Sequence, residues 1–245
     1  RAKSDTPNQY HDYLYHNKGD EVIVSNQGQA VSFKKDSQRF SASKNLKSTR
    51  TEHQHPGWHF FTEVKTSPVI NSGLDVQFKA NALKKDPVTM HASVVEGFDL
   101  TITTALSPKS KSENRPYNSK PIPVMALRHQ GDAWVNPFAV VYEPKASQNK
   151  PTIQSINRLL DKGSFKGLQV QAQVGKRKIE QFILIQEGAS ERYVNKDIEF
   201  TGHFAVITLE NSKLVELYIG QGSQLTYQGQ TLKVAEGTRA AFSRF

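Results

Sequence analysis

Apolar residues in this chain recur at every second position, in short runs, and almost nowhere at the spacing of a helix. Leu74-Asp75-Val76-Gln77-Phe78 and Leu100-Thr101-Ile102-Thr103 alternate apolar with polar side chains, as strands with one buried and one wet face do. Residues 22–24, 30–33, 58–64, 74–78, 93–95, 100–105, 124–127 and 139–142 read as strands on this pattern. They concentrate aromatic and β-branched residues, and Gly, Pro, Asn, Asp and Ser lie between them. A second series follows at 168–174, 179–186, 198–209, 214–219, 225–227 and 237–242, with turns expected at Gly175-Lys176, Asn211-Ser212, Gln221-Gly222 and Gln228-Gly229. Residues 153–160 are the one candidate helix, with apolar residues at 153, 156, 159 and 160. Eight residues do not separate a helix from an irregular strand.

The expected fold is therefore all-β, an antiparallel β-sandwich with a large sheet system and a smaller C-terminal β domain. Between the two series, PKASQNKP has the composition of a linker. The division expected is a sandwich over 1–145, a linker over 146–152 and the smaller β domain over 153–245. Two stretches lack strand character. Residues 34–54 are polar and rich in Ser, Lys and Arg, and 107–123 hold prolines without an apolar run. Connections of that length are usually functional or mobile.

No cysteine is present, so disulfides, thiolate catalysis and thiolate metal sites are excluded. No run reaches the ~18–20 apolar residues of a membrane helix, and no membrane partner is expected. The formal net charge of +9 suits polyanionic partners. Nucleic acid ranks below acidic polysaccharide among them, because there is no basic helix, zinc-finger spacing or ribonucleoprotein motif. A solvated basic surface is the bland alternative. Lys109, Lys111, Arg115 and Lys120 surround Tyr117 in the second loop, a composition able to grip sulfate or carboxylate groups.

Two groups of histidines invite chemistry. His53 and His55 have i, i+2 spacing, which on a strand sets both imidazoles on one face, as a metal pair requires. His11 and His16 bracket Tyr13 in HDYLYHN. A Tyr/His pair is what β-elimination of a uronate-containing polymer needs: one group takes the C5 proton beside the carboxylate and the other protonates the leaving oxygen. Strand packing is the default role for all of them. No G-x-S-x-G elbow, H-E-x-x-H, phosphate loop or dinucleotide fingerprint occurs.

MALRHQGDAWVNPFAVVYEP, residues 125–144, carries Arg128, Trp134, Pro137, Phe138, Tyr142, Glu143 and Pro144 in a distinctive order. It resembles a hairpin in the C-terminal sheet region of bacterial heparinase II/III-like polysaccharide lyases. HDYLYHNKGD, from His11 to Asp20, is similar to another segment of that family, and the resemblance spans roughly residues 9 to 145. It implies that Arg128, Trp134 and Glu143 fix the hairpin and that Pro144 ends its strand. It also implies a periplasmic or secreted enzyme cleaving acidic polysaccharide by β-elimination, with zinc in the full-length protein. In that family the catalytic Tyr and His come mainly from an N-terminal toroid, and the zinc ligands lie upstream of these segments. Neither set has a match here, so no cofactor is assigned to this chain. The chain, starting at Arg1, then reads as cut from something longer, inactive alone, and giving scaffold and part of the substrate cleft. The reading from a different class is a non-catalytic carbohydrate-binding module for anionic glycans.

Overall fold

The computed structural model describes residues 10–16, 21–35, 61–80, 87–97, 99–107, 122–132, 135–146, 149–235, 238 and 240–245, of which 10–16 by backbone only. Every regular element among them is a strand, and all pairings are antiparallel. The chain is all-β, as its period-two patterning predicts. It divides into two compact units, residues 1–131 with 138–150, and residues 132–137 with 151–245.

The first unit opens with β1 (Tyr10–His16), β2 (Glu21–Asn26), β3 (Gln29–Ala30), β4 (Lys34–Lys35) and β5 (Thr62–Thr66). It continues with β6 (Leu74–Ala80), β7 (Val88–Val94), β8 (Thr101–Ser107), β9 (Ile122–Gln130) and β10 (Val140–Ala146). Two five-stranded sheets result, ordered β1-β9-β8-β5-β4 and β10-β7-β6-β2-β3. Val24, Val76, Phe78, Ala92 and Val94 of one sheet share a buried cluster with Leu100, Ile102, Met125 and Leu127 of the other. The two inner faces thus close on a single core, which makes this unit a sandwich.

Three expectations change here. Residues 125–144 are not a hairpin: β9 pairs with β1 and β8, whereas β10 pairs with β7 in the opposite sheet. The turn at Gln130-Gly131 is a crossover between sheets. Pro144 does not end its strand either, because β10 runs on to Ala146 with Pro144 opposite Met90. β10 lies at a sheet edge, where a residue without an N–H costs no ladder bond. Residues 30–33 are likewise split, β3 ending at Ala30 and β4 starting at Lys34.

The second unit comprises β11 (Ile153–Asp161), β12 (Ser164–Val174), β13 (Arg177–Ile185), β14 (Arg192–Val194), β15 (Ile198–Glu210), β16 (Lys213–Tyr227), β17 (Gln230–Lys233) and β18 (Ala241–Arg244). They form one eight-stranded sheet with a main order β11-β12-β13-β15-β16-β17. The candidate helix at 153–160 is strand β11. Its pairing with β12 shifts register between Ile153 and Ser155 and again between Leu159 and Leu160. The first shift leaves Gln154 as an extra residue in β11, so Ile153 and Ile156 fall three apart and, with Leu159 and Leu160, imitate a helical stripe. The second shift places its extra residue, Lys166, in β12.

The expected turn at Gln221-Gly222 is also absent, and 213–227 is one continuous strand. Register shifts between β15 and β16 cluster at Gly202 and Phe204, opposite Gly222 and Gln221. A Cβ on Gly202 would lie 2.5 Å from the Gly222 Cα, and one on Gly222 would lie 2.7 Å from the Thr201 carbonyl oxygen. Only paired glycines let the two long strands press together there. Gln186, buried at 1% exposure, donates its amide to the carbonyls of Glu191 (3.0 Å) and Gly202 (2.9 Å). Around this point Leu184, Phe200, Ala205, Ile207, Leu217, Ile219 and Leu225 form the unit's core. No helix among the described residues is long and apolar enough to cross a membrane.

Candidate functional site

Strand β5 carries the most unusual backbone of the first unit. Its pairing with β8 slips between Thr62 and Lys65, and Glu63, inside the slip, has φ 52°. A non-glycine residue with positive φ is strained, and such residues, like bulges, concentrate at functional positions. The slip lets Val64 turn inward to pack with Phe61, Ala105 and Val124. Glu63 and Lys65 are left exposed on either side.

A cavity of ≈ 150 Å³ opens beside this bulge. Its apolar wall is Val22, Ala105, Leu106, Pro123 and Val124, and its polar rim is Glu21, Glu63, Lys65 and Thr104. Glu21 faces Lys79 at 3.5 Å, both side chains being substantially exposed. The rim therefore offers two carboxylates, a hydroxyl and an ammonium over an apolar wall. That set supplies hydrogen bonds to a small polyhydroxylated or charged group and lets the wall pack against its C–H surface. Nothing in the sequence pattern marks Glu63, because its strain arises only from the slip between β5 and β8.

The register shows what surrounds this cavity. His16 pairs with Val124, Thr62 with Leu106, and Ser107 with Ile122. The end of β1, the start of β5, the end of β8 and the start of β9 thus meet at one end of the sheet, where Glu21 also lines the cavity. Ser107 and Ile122 are the described residues flanking the basic stretch. Lys109, Lys111, Arg115, Tyr117 and Lys120 themselves lie outside the described residues, as do His53, His55 and Trp134.

His11, Tyr13 and His16 are placed by backbone, opposite His129, Leu127 and Val124. Two-residue alternation puts His11 and Tyr13 on one face of β1 and His16 on the other. Near the far end of β9, His129 is 3% exposed, and its Nδ1 lies 3.1 Å from the Gln130 carbonyl oxygen. Its ring meets the edge of Phe138 at 4.7 Å. Glu143 pairs with Lys145 at 3.2 Å. Another histidine, His91, is 8% exposed and has Nδ1 3.6 Å from an Asp75 carboxylate oxygen. Gln77 donates to the other oxygen of that carboxylate at 3.0 Å. Among the described residues no group of three His, Cys, Asp or Glu side chains could hold a metal ion.

Comparison with known proteins bears on both units. Residues 153–245 match the family model of the endo-acting ulvan lyase C-terminal domain. Over 243 residues, 98% of this chain, the sequence is 31% identical to an endo-acting ulvan lyase of Formosa agariphila. The aligned part is 29% of that protein, so the chain spans less than a third of its relative's length. No solved structure matches. Residues 153–245 are thus similar to the C-terminal domain of endo-acting ulvan lyases, and the chain is similar along nearly its whole length to a portion of a polysaccharide lyase.

Proposed function

We propose that this chain is the C-terminal β-sheet portion of a heparinase II/III-like lyase that cleaves an acidic, uronate-containing polysaccharide of the ulvan kind by β-elimination. The observation that carries the reading is the 31% identity sustained over 98% of the chain to an endo-acting ulvan lyase. A net charge of +9 agrees with a polyanionic substrate. In this reading the catalytic toroid and any zinc belong to the N-terminal part of a longer, periplasmic or secreted protein. The chain supplies scaffold, and one wall of the cleft is formed by the bulged end of the first unit with its basic stretch, residues 109–120. The described residues offer no three-ligand set for a metal, so no step through zinc is assigned to them.

The test compares the longer protein with the 245-residue chain on ulvan, alginate, chondroitin and heparan. Cleavage is read as the ultraviolet absorbance of the unsaturated uronate end. The longer protein is expected to cleave ulvan and the chain alone to be inactive. Turnover by the chain alone, abolished by Tyr13→Phe or His16→Ala, would move the active site into β1 and overturn the reading. Binding without cleavage by the longer protein would leave the anionic-glycan-binding module.

A further inference from the structure

The core face of the second unit changes character partway across its sheet. Register defines three rows on that face. The first runs Leu159, Gly167, Leu184, Ala205, Ile219, and it is apolar throughout. The next runs Asn157, Gln169, Phe182, Ile207, Leu217, and the third Ser155, Gln171, Glu180, Leu209, Leu214. In the last two rows the β15 and β16 positions are core, whereas the β11 and β12 positions carry amides and a hydroxyl. One continuous face is thus a hydrophobic core at one side and a polar shelf at the other.

The shelf is ordered by its own hydrogen bonds. Gln169 and Gln171 both donate to Oε1 of Glu180, at 2.5 and 3.1 Å. Ser155 donates to the Gln171 amide oxygen at 3.0 Å, and Asn157 to that of Gln169 at 3.4 Å. Each side chain fixes its neighbour, so the donors and acceptors are held in place before any ligand arrives. The other carboxylate oxygen of Glu180 takes no hydrogen bond from the described residues. At the inner border Phe182 and Tyr227 rings sit 5.8 Å apart, inclined by 37°. Tyr227 belongs to the buried core behind this border, and burial, then the charges of Asp197 and Glu180, raise its phenol above the usual range. Lys178, two residues before Glu180 on the same face of β13, is exposed.

We propose that this shelf, with Glu180, Gln171, Gln169, Asn157 and the part-exposed Phe182 at its border, is a saccharide-binding subsite for uncharged sugar units that present vicinal hydroxyls. A carboxylate oxygen accepts from one hydroxyl of such a pair while a neighbouring amide serves the second, and preset geometry lowers the cost of ordering the site. The apolar border packs against ring C–H groups. Sulfate or uronate groups are disfavoured beside Glu180, whose carboxylate is the charge on which the shelf's amides converge. The shelf differs in this from the basic stretch of the first unit, whose attraction is for anions. The choice of polymer rests on the lyase reading, but the binding chemistry does not.

The 245-residue chain is run by affinity electrophoresis through gels carrying ulvan, or the same ulvan after desulfation and carboxyl reduction. Retardation by the neutralised polymer is expected, and it should persist in 1 M salt, where ~3 Å screening removes simple charge attraction. Gln171→Ala and Glu180→Ala should each weaken it about tenfold, as expected for losing a charge-assisted hydrogen bond. Gln171 is exposed, so its truncation leaves the fold intact, which an unchanged melting curve verifies. No retardation by the neutralised polymer, or equal retardation of native and Gln171→Ala chains, overturns the shelf. Cleavage of ulvan by the longer protein is scored separately. Neutral binding without cleavage sinks only the lyase reading, and cleavage without neutral binding sinks only the shelf.

Discussion

In the first unit no described strand exceeds the nine residues of β9, and the core lies between two sheets. In the second, β12, β15 and β16 have 11, 13 and 15 residues, and one sheet supplies the whole core. Short strands alternating between sheets need long connections, whereas the first unit's described histidines, His11, His16, His91 and His129, all lie on strands. Long adjacent hairpins need only tight turns. Lys162-Gly163 (φ 49° and 84°), Asn211-Ser212 (50° and 65°) and Gln228-Gly229 (45° and 84°) all adopt the doubly positive φ that matches strand twist. A unit built that way has little loop to offer, and what it presents to solvent is chiefly its strand faces. The polar shelf is such a face.

The largest expected effect tests whether each unit stands on its own core. Phe200, with no exposed surface, sits in the second unit's cluster. Phe200→Ala should cost about 3–5 kcal/mol. Amide exchange should then accelerate through β13, β15 and β16 and stay unchanged in β6 to β9. Equal acceleration in both regions would mean that the two cores unfold as one.

Gly202 sharpens the point about long strands. It has φ +155°, and an added Cβ would meet both the Gly222 Cα at 2.5 Å and the Phe200 ring at 2.7 Å. Gly202→Ala should therefore destabilise by about 1–3 kcal/mol through overpacking, with backbone strain added. The midpoint of chemical denaturation measures it. The comparison position is Gly163, which has φ +84° but open space around its would-be Cβ; alanine there pays for conformation alone and should cost less. A larger loss at Gly163 would show that the strand crossing tolerates a side chain.

Strand identity was legible wherever alternation was undisturbed, as in Leu74 to Phe78, whose Leu, Val and Phe are 3% or less exposed. It failed where bulges intervene, because one inserted residue converts a two-residue period into a three-residue one, as in β11. The Gln221-Gly222 pair reads as a turn for a related reason: glycine serves close strand contact as well as reversal. Face assignment is harder still. Gln169 and Gln171 alternate with Leu168 and Val170, which by pattern puts the glutamines on the wet side. They nevertheless share a face with Leu184 and Ile207, and Leu168 and Val170 are buried on the other side. Both faces of β12 are partly covered, and only the neighbouring strands decide which residues meet solvent. The Glu63 bulge was illegible, since a slip between strands 40 residues apart leaves no local mark.

The smallest expected effect concerns the 186–191 segment, the one longer connection of the second unit near its glycine crossing. Glu191 binds Lys166 at 2.9 Å and accepts from the Gly188 N–H at 3.0 Å. The hydrogen bond from Lys166 is the main cause that holds its carboxyl below the usual range, against a desolvation that pushes upward; the Lys166 charge, Gly188 and His203 add to the lowering. A carboxyl depressed in the folded chain contributes stability that is complete above its unfolded value, ~4.3. That contribution disappears as pH falls through the lower folded value. The Glu191 side chain is 38% exposed, so screening keeps the contribution below about 1 kcal/mol. Glu191→Gln should therefore melt slightly earlier than the native chain at pH 7, and the two melting curves should converge in acid. Because the Glu191 carbonyl also accepts from Gln186 and Gly202, the change should loosen exchange at Gly202 before it touches β13. A gap between the two chains that widens in acid would mean that the carboxyl is raised, not lowered, and that Lys166 does not govern it.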